Sequence, residues 1–271
     1  MRSWPALRIV DRWDLPIREN SGLALRRRGG STELLAVGDA ESCVVIVEIR
    51  RGRPGGITDL QLGDVIASSR HGRGSQFEAL AVDAQGHLAV LQEDPPVVSF
   101  IDPDTCSLTG QVLLTAHSRH PSKWDERSDA CAEGLLLTDH GLLVAREKRP
   151  AGLLEFVMTP PAGPTAPVRR DSRSVLAAAT WWSVDRDLDD VSDLCLGPDG
   201  RIYVLSDQSR CIVRLRPLHP EGGRAEIDRA WRLDVENAEG LVLLDDMTPL
   251  VAVDRKGRKE NLLVLAPLDQ D

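Results

Sequence analysis

The sequence predicts an all-β protein, a five-bladed β-propeller formed as one domain over residues 1–271, and three observations predict it. A short apolar run entered through a polar residue recurs five times. Each is followed, after a turn, by a second apolar run that ends in an acid. The N-terminal residues repeat the pattern that precedes the last unit, which predicts a ring closed by the two ends of the chain.

The five starts are Ser21-Gly-Leu-Ala-Leu, Glu78-Ala-Leu-Ala-Val, Glu133-Gly-Leu-Leu-Leu, Asp193-Leu-Cys-Leu and Glu239-Gly-Leu-Val-Leu, at spacings of 57, 55, 60 and 46 residues. These spacings are in the range of a four-stranded propeller blade. The second runs are Leu35-Ala-Val-Gly-Asp39, Ala89-Val-Leu-Gln-Glu93, Leu143-Val-Ala-Arg-Glu147, Tyr203-Val-Leu-Ser-Asp207 and Leu250-Val-Ala-Val-Asp254. The intervening Asp83-Ala-Gln-Gly86, Thr138-Asp-His-Gly141 and Gly197-Pro-Asp-Gly200 have tight-turn compositions, so each pair of runs reads as a hairpin. Third runs follow at 44–49, 97–101, 152–156, 211–215 and 261–265, and helical spacing of apolar residues is nowhere sustained.

Closure follows from a self-match at an offset of 218, in which Asp11-Arg-Trp13-Asp-Leu15 through Ser21-Gly-Leu23 parallels Arg229-Ala-Trp231-Arg-Leu233 through Glu239-Gly-Leu241. If 225–233 is the outer strand of blade four, then 7–15 is the outer strand of blade five. The N-terminal strand then lies beside the last three of the chain and removes an open edge.

With a hydrophobic fraction of 42%, the chain has the apolar side chains for a full core. A net charge of -9 argues against a nucleic-acid or anionic-membrane partner and is compatible with cation binding. The first residues carry a charge every few positions, and no apolar run nears the roughly 18 residues needed to span a bilayer, so the expectation is a soluble, cytoplasmic monomer. Cys43, Cys106, Cys131, Cys195 and Cys211 are odd in number and form no Cys-x-x-Cys pair, which predicts free thiols.

In a blade the innermost strand and its neighbour are antiparallel, so the first residue of one lies near the last residue of the other. The pattern therefore predicts two acidic sets at one channel mouth. The inner set is Ser21, Glu78, Glu133, Asp193 and Glu239, and the second is Asp39, Glu93, Glu147, Asp207 and Asp254. Crowded carboxylates raise one another's pKa unless something neutralises them, and clustered hard oxygen ligands favour calcium or magnesium. The plainer interpretation makes them strand-end groups that are solvated or paired with Arg146, Lys148, Arg210, Arg255 and Lys256.

Several stretches together resemble the SdiA-regulated family, propellers related in pattern to the esterase-like phytase group. They are Glu133-Gly-Leu with Leu143-Val-Ala-Arg-Glu-Lys-Arg-Pro150-Ala-Gly-Leu-Leu-Glu-Phe156, Val191-Ser-Asp-Leu with Pro198-Asp-Gly-Arg-Ile-Tyr-Val-Leu-Ser-Asp-Gln-Ser-Arg210, and Ala238-Glu-Gly-Leu241. The resemblance covers nearly the whole chain. It implies a propeller with a calcium site and says little about the reaction. Ser21 departs from the Glu-Gly-Leu pattern and leaves one side of the ring without an acid.

No Gly-x-Ser-x-Gly elbow, Walker loop, His-Glu-x-x-His or dinucleotide fingerprint is present. His117 and His120 share a long loop with Lys123, Trp124, Asp125, Glu126 and Arg127, a mixed set suited to a substrate lid and equally to a solvated loop. Trp181 and Trp182 suit packing between blades better than ligand stacking. Segment 159–167, rich in Pro and Ala, reads as a surface excursion, and Arg26-Arg-Arg28 beside Gly29-Gly30 as a solvated turn.

Two functions remain open from the residues. One is a calcium-dependent hydrolase of an ester, lactone or phosphoester small molecule. In it Glu78, Glu133, Asp193 and Glu239 hold the metal, Glu147 or Asp207 acts as base, and Arg146, Lys148 or Arg255 holds an anionic substrate group. The other is a non-catalytic propeller that presents a rim or channel mouth to a protein or small ligand.

Overall fold

The computed structural model describes residues 4–62, 76–93, 95–115, 132–148, 150–158, 174–184, 186–255 and 259–269. Strand β1 (Ile9–Trp13) belongs to the last blade. Blade one is β2 (Asn20–Arg28), β3 (Ser31–Gly38), β4 (Cys43–Arg50) and β5 (Arg53–Gln61). Blade two is β6 (Phe77–Val82), β7 (Leu88–Gln92), β8 (Val97–Asp102) and β9 (Ser107–Thr115). Blade three is β10 (Gly134–Thr138), β11 (Gly141–Arg146), β12 (Gly152–Val157) and, after β13 (Ser174–Ala177), β14 (Thr180–Ser183). Blade four is β15 (Asp193–Leu196), β16 (Ile202–Ser206), β17 (Cys211–Leu215) and, after β18 (Gly223–Arg224), β19 (Ile227–Arg232). Blade five is β20 (Ala238–Leu243), β21 (Pro249–Val253), β22 (Leu262–Leu265) and β1.

The first strand of each blade touches the first strands of the blades on either side, which makes these five the wall of the channel. Strands one layer out are buried on both faces, and β7, β11 and β21 are buried along their whole length. A strand covered on both sides has no polar face to show, which is why Leu142-Leu-Val-Ala145 and Leu250-Val-Ala-Val253 are continuous apolar runs rather than alternating ones. Five apolar clusters fill the spaces between neighbouring blades. Trp181 packs into the one between blades two and three, and Trp182, the next residue of β14, into the one between blades three and four. Tyr203 and Trp231 stack at 6.1 Å between blades four and five.

The expected closure is present. β1 runs antiparallel to β22, with Ile9 opposite Leu265 and Trp13 opposite Leu262. Asn261, 1% exposed, clasps the chain that leads on into blade one. Its Oδ1 accepts from the Leu15 amide at 2.8 Å, and its Nδ2 donates to the carbonyls of Leu15 at 3.1 Å and Ile17 at 2.8 Å.

Three outer edges are covered by the chain on its way to the next outer strand. β13 pairs parallel with β9, β18 pairs parallel with β14, and Ala6 forms a parallel bridge to Arg232 in β19. Such cover hides unpaired edge groups from other chains.

Candidate functional site

The two acidic sets are brought side by side by a repeated backbone device. In blades one, two and five the inner strand begins with a β-bulge, and the bulged residue is the ring residue: Ser21, Glu78 and Glu239. Two positions earlier stand Glu19, Gln76 and Asn237, all left-handed, with φ of 49°, 51° and 57°. Their carbonyls accept from the amides of Asp39, Glu93 and Asp254, the second acid of the same blade. A left-handed non-glycine residue costs on the order of 1 kcal/mol, so the start of each of these blades is held strained. In blade three the Glu133 amide donates to the Ala145 carbonyl and Gly134 pairs with Ala145, which puts Glu133 at the same position.

Blade four corrects the sequence reading. Its Ser192 amide donates to the Leu205 carbonyl, and Asp193 pairs with Leu205. Ser192 is therefore the counterpart of Glu133, and Asp193 takes the place of Gly22, Ala79, Gly134 and Gly240. At that position neighbouring inner strands come close: a Cβ on Gly22 would lie 2.7 Å from the Ala79 Cα. Asp193 instead directs its carboxylate across to blade five, where Oδ2 accepts from the Leu241 amide at 2.7 Å while Oδ1 accepts from its own neighbour Leu194 at 2.7 Å. With both oxygens bonded to backbone amides, Asp193 is an inter-blade tie rather than a member of the ring. The inner ring reads Ser21, Glu78, Glu133, Ser192 and Glu239.

Electrostatics mark the three glutamates. Burial, then the charges of Glu133, Asp39 and Glu93, holds the Glu78 carboxyl well above the usual range, and Glu78 shares a hydrogen bond with Asp39. Burial, then Glu93, Glu147 and Glu239, does the same to Glu133. Burial, then Asp207, Glu147 and Asp254, pushes Glu239 up to about 8. Asp39 is raised by burial, against the 2.6 Å hydrogen bond it accepts from Ser21 Oγ. Both mutual repulsion and loss of water favour the protonated form here.

The remaining candidates divide between mouth and rim. Lys148 donates to Glu147, so one ring carboxylate has a cationic neighbour. Arg146 ends β11 and is buried. Asp207 Oδ1 accepts from the Ala238 amide at 3.0 Å, and its own amide donates to Ser192 Oγ at 3.3 Å, so it links blades four and five. Arg255 and Arg210 pair outside the ring, with Glu260 at 3.6 Å and Glu236 at 2.5 Å. Asp190, not singled out from the sequence, is 2% exposed beside the ring, where it accepts from Ser206 Oγ and from the Gln208 amide at 3.2 Å. Matching Ser192-Asp-Leu to Ser21-Gly-Leu would have found both Ser192 and this neighbourhood. His117, His120, the residues 123–127, Cys131, segment 159–167 and Lys256 lie outside the described residues.

The oxygen donors suit a hard cation such as calcium, but they are spread around the ring. Among the described residues no three His, Cys, Asp or Glu side chains stand together as a ready metal site. Glu78, Glu133 and Glu239 would hold a cation only with side-chain movement or with water completing the shell.

The family model described as SdiA-regulated matches residues 61–254, which takes in the ring residues of blades two to five. The chain belongs to the SdiA-regulated family. No curated protein matches this SdiA-regulated chain. Solved structures similar to it include the PQQ-bound form of aldose sugar dehydrogenase from Streptomyces coelicolor, at 14% identity and a TM-score of 0.49, covering 97% of this chain and 99% of that one. A streptogramin B lyase matches at 10% identity and a TM-score of 0.44, over 99% of this chain and 75% of that one. Virginiamycin B lyase from Staphylococcus aureus matches at 10% identity and a TM-score of 0.44, over 92% and 68%. At these scores the similarities carry no functional argument.

Proposed function

We propose that the acidic mouth takes up calcium among Glu78, Glu133 and Glu239, and that it is the working end of a metal-dependent hydrolase acting on a small ester, lactone or phosphoester. The observation that carries the proposal is the crowding of three glutamates at one register, Glu78 buried and Glu133 and Glu239 half-buried, where loss of water and the acids around them make each harder to ionise. Such crowding opposes folding unless a proton or a cation offsets it. Calcium bound there would polarise a substrate oxygen and make a bound water more acidic.

The chain's own groups then have distinct roles. Asp207, held through Oδ1 by the Ala238 amide, would act as the base in this reading, and Glu147 is the alternative. Arg146, the last residue of β11, and Lys148 just beyond it are the cations that would hold an anionic substrate group in this reading. Arg255 is drawn away toward Glu260, which weakens its case for that role.

A non-catalytic platform is the second reading, favoured by the absence of a ready metal cluster among the described residues. Calcium titration by calorimetry, with ester, lactone and phosphoester panels run with and without calcium, separates the two. Saturable binding and calcium-dependent turnover, both lost in Glu133→Gln, support the hydrolase. No heat at millimolar calcium removes the metal, and ligand capture retained in Glu133→Gln and Glu239→Gln without turnover supports the platform.

A further inference from the structure

At the other end of the inner strands the side chains carry the opposite possibility. The ends of β2, β6, β15 and β20 and their turns surround a cavity of about 630 Å³, walled in part by Arg26, Arg51, Asp83, Asp245 and Asp246. Arg26 lies in β2, in the fifth pair beyond the bulge at Ser21, so it is toward the mouth opposite the glutamates. The charged triplet that reads as a solvated turn is in fact strand, and Arg26 is 4% exposed.

The guanidinium of Arg26 is only partly satisfied. Nε donates to Glu33 Oε2 at 2.7 Å, whereas Nη1 is buried with no hydrogen-bond partner among the described residues. An unmet donor on a buried charge is costly, on the order of 1–3 kcal/mol or more. Nearby acids do not meet it, because each is engaged. Asp83 accepts from the amides of Gln85 at 2.8 Å and His87 at 2.9 Å. Asp245 pairs with Arg27, and Asp246 accepts from the Thr248 amide at 3.1 Å. Gly86 lies against Arg26, where an added Cβ would be 3.7 Å from the Arg26 Cδ, so the turn leaves the guanidinium room. Arg51 adds an exposed second cation to the cavity wall.

We propose that this second mouth is an oxyanion site, in which the Arg26 guanidinium and Arg51 receive the phosphate or carboxylate group of a small ligand. A guanidinium held at Nε by Glu33, with an unmet donor in the wall of a cavity, is suited to directional bonds with such oxygens. The site is separate from the acidic mouth and does not depend on its reading.

Calorimetry and thermal shift with inorganic phosphate, and separately with succinate, against chloride at matched ionic strength, test it. Saturable binding at millimolar or lower concentration by either anion is expected; phosphate alone marks a phosphate-bearing ligand, and succinate alone a carboxylate. Arg26→Lys, which keeps the charge beside Glu33, should weaken binding at least tenfold. Arg51→Ala, an exposed change that spares the fold, should weaken it severalfold, and Glu133→Gln at the opposite mouth should leave it unchanged. No effect beyond chloride from either anion, or affinity unaltered in both Arg26→Lys and Arg51→Ala, overturns the proposal.

Discussion

Asp193 Oδ2 accepts the backbone amide of Leu241 at 2.7 Å and so ties the inner strands of blades four and five directly to each other. The carboxylate is 2% exposed and also accepts from Leu194, so neither oxygen is idle. Asp193→Asn keeps the shape but leaves one of these amides facing an NH2 group. A loss of about 1–3 kcal/mol is expected, which for a chain of this size lowers the melting temperature by several degrees. Calcium affinity measured in the same variant should be unchanged. A tenfold loss of calcium binding without a loss of stability would return Asp193 to the ring.

The pH dependence of the metal-free protein follows from Glu239. Its carboxyl is pushed from 4.5 up to about 8 by burial first and by Asp207 next. A carboxyl raised in the folded state holds its proton more tightly there than in the unfolded chain, so folding stability is greatest below about 4.5, as far as this group decides it, and declines as pH rises toward 8. Glu78 and Glu133 act in the same direction. Thermal melts in chelator from pH 5 to 9 should show a falling midpoint, and a midpoint that rises steadily across that range would contradict the assigned burial.

Calcium should reverse that trend. A cation must displace the protons held by these glutamates, so its affinity should increase with pH and its binding should release protons. Calorimetry in two buffers of different ionisation enthalpy reads the number released. At a free concentration a hundredfold above the dissociation constant, calcium would add about 2.7 kcal/mol.

Glu239→Gln distinguishes a ligand from a scaffold group by a change of sign. At pH 9 without metal the variant removes a half-buried negative charge and should melt higher, by about 2–4 °C for each kcal/mol of repulsion relieved. With saturating calcium it should melt lower than the parent. Equal destabilisation in both conditions would make Glu239 a structural hydrogen-bonding partner.

The five-blade pattern was legible because the strands one layer out are buried on both faces and so spell apolar runs between turns. The closing strand was legible because Trp13 and Leu15 repeat the outer-strand pattern of Trp231 and Leu233. Ring membership was less so. In blade four the two polar residues Ser192 and Asp193 are adjacent, and charge alone favours the acid, although backbone pairing gives the ring position to the serine. Likewise Arg26 beside two glycines reads as solvated, since nothing local announces that Glu33, seven residues away on β3, will cover it.

Asn261 concentrates the ring's closure in one side chain. Asn261→Ala would strand the Leu15 amide and the carbonyls of Leu15 and Ile17, at an expected cost of about 3–5 kcal/mol. Hydrogen exchange should show β1 losing protection before blades two to four. Uniform loss across all blades would mean that the clasp has no separate local opening.

The pairing of Ile9 with Leu265 also has a bearing on biosynthesis. Of the strands described, β1 leaves the ribosome first and its partner β22 last, so β1 stays unmated while the strands between them are made. Blades one to four can form their hairpins as they emerge, because those contacts are local, while the final join must wait for a contact that spans all the other blades and is correspondingly slow. A stalled or truncated product would display the edges of both β1 and β21, which makes incomplete chains natural substrates for chaperones and proteases while the finished ring conceals both.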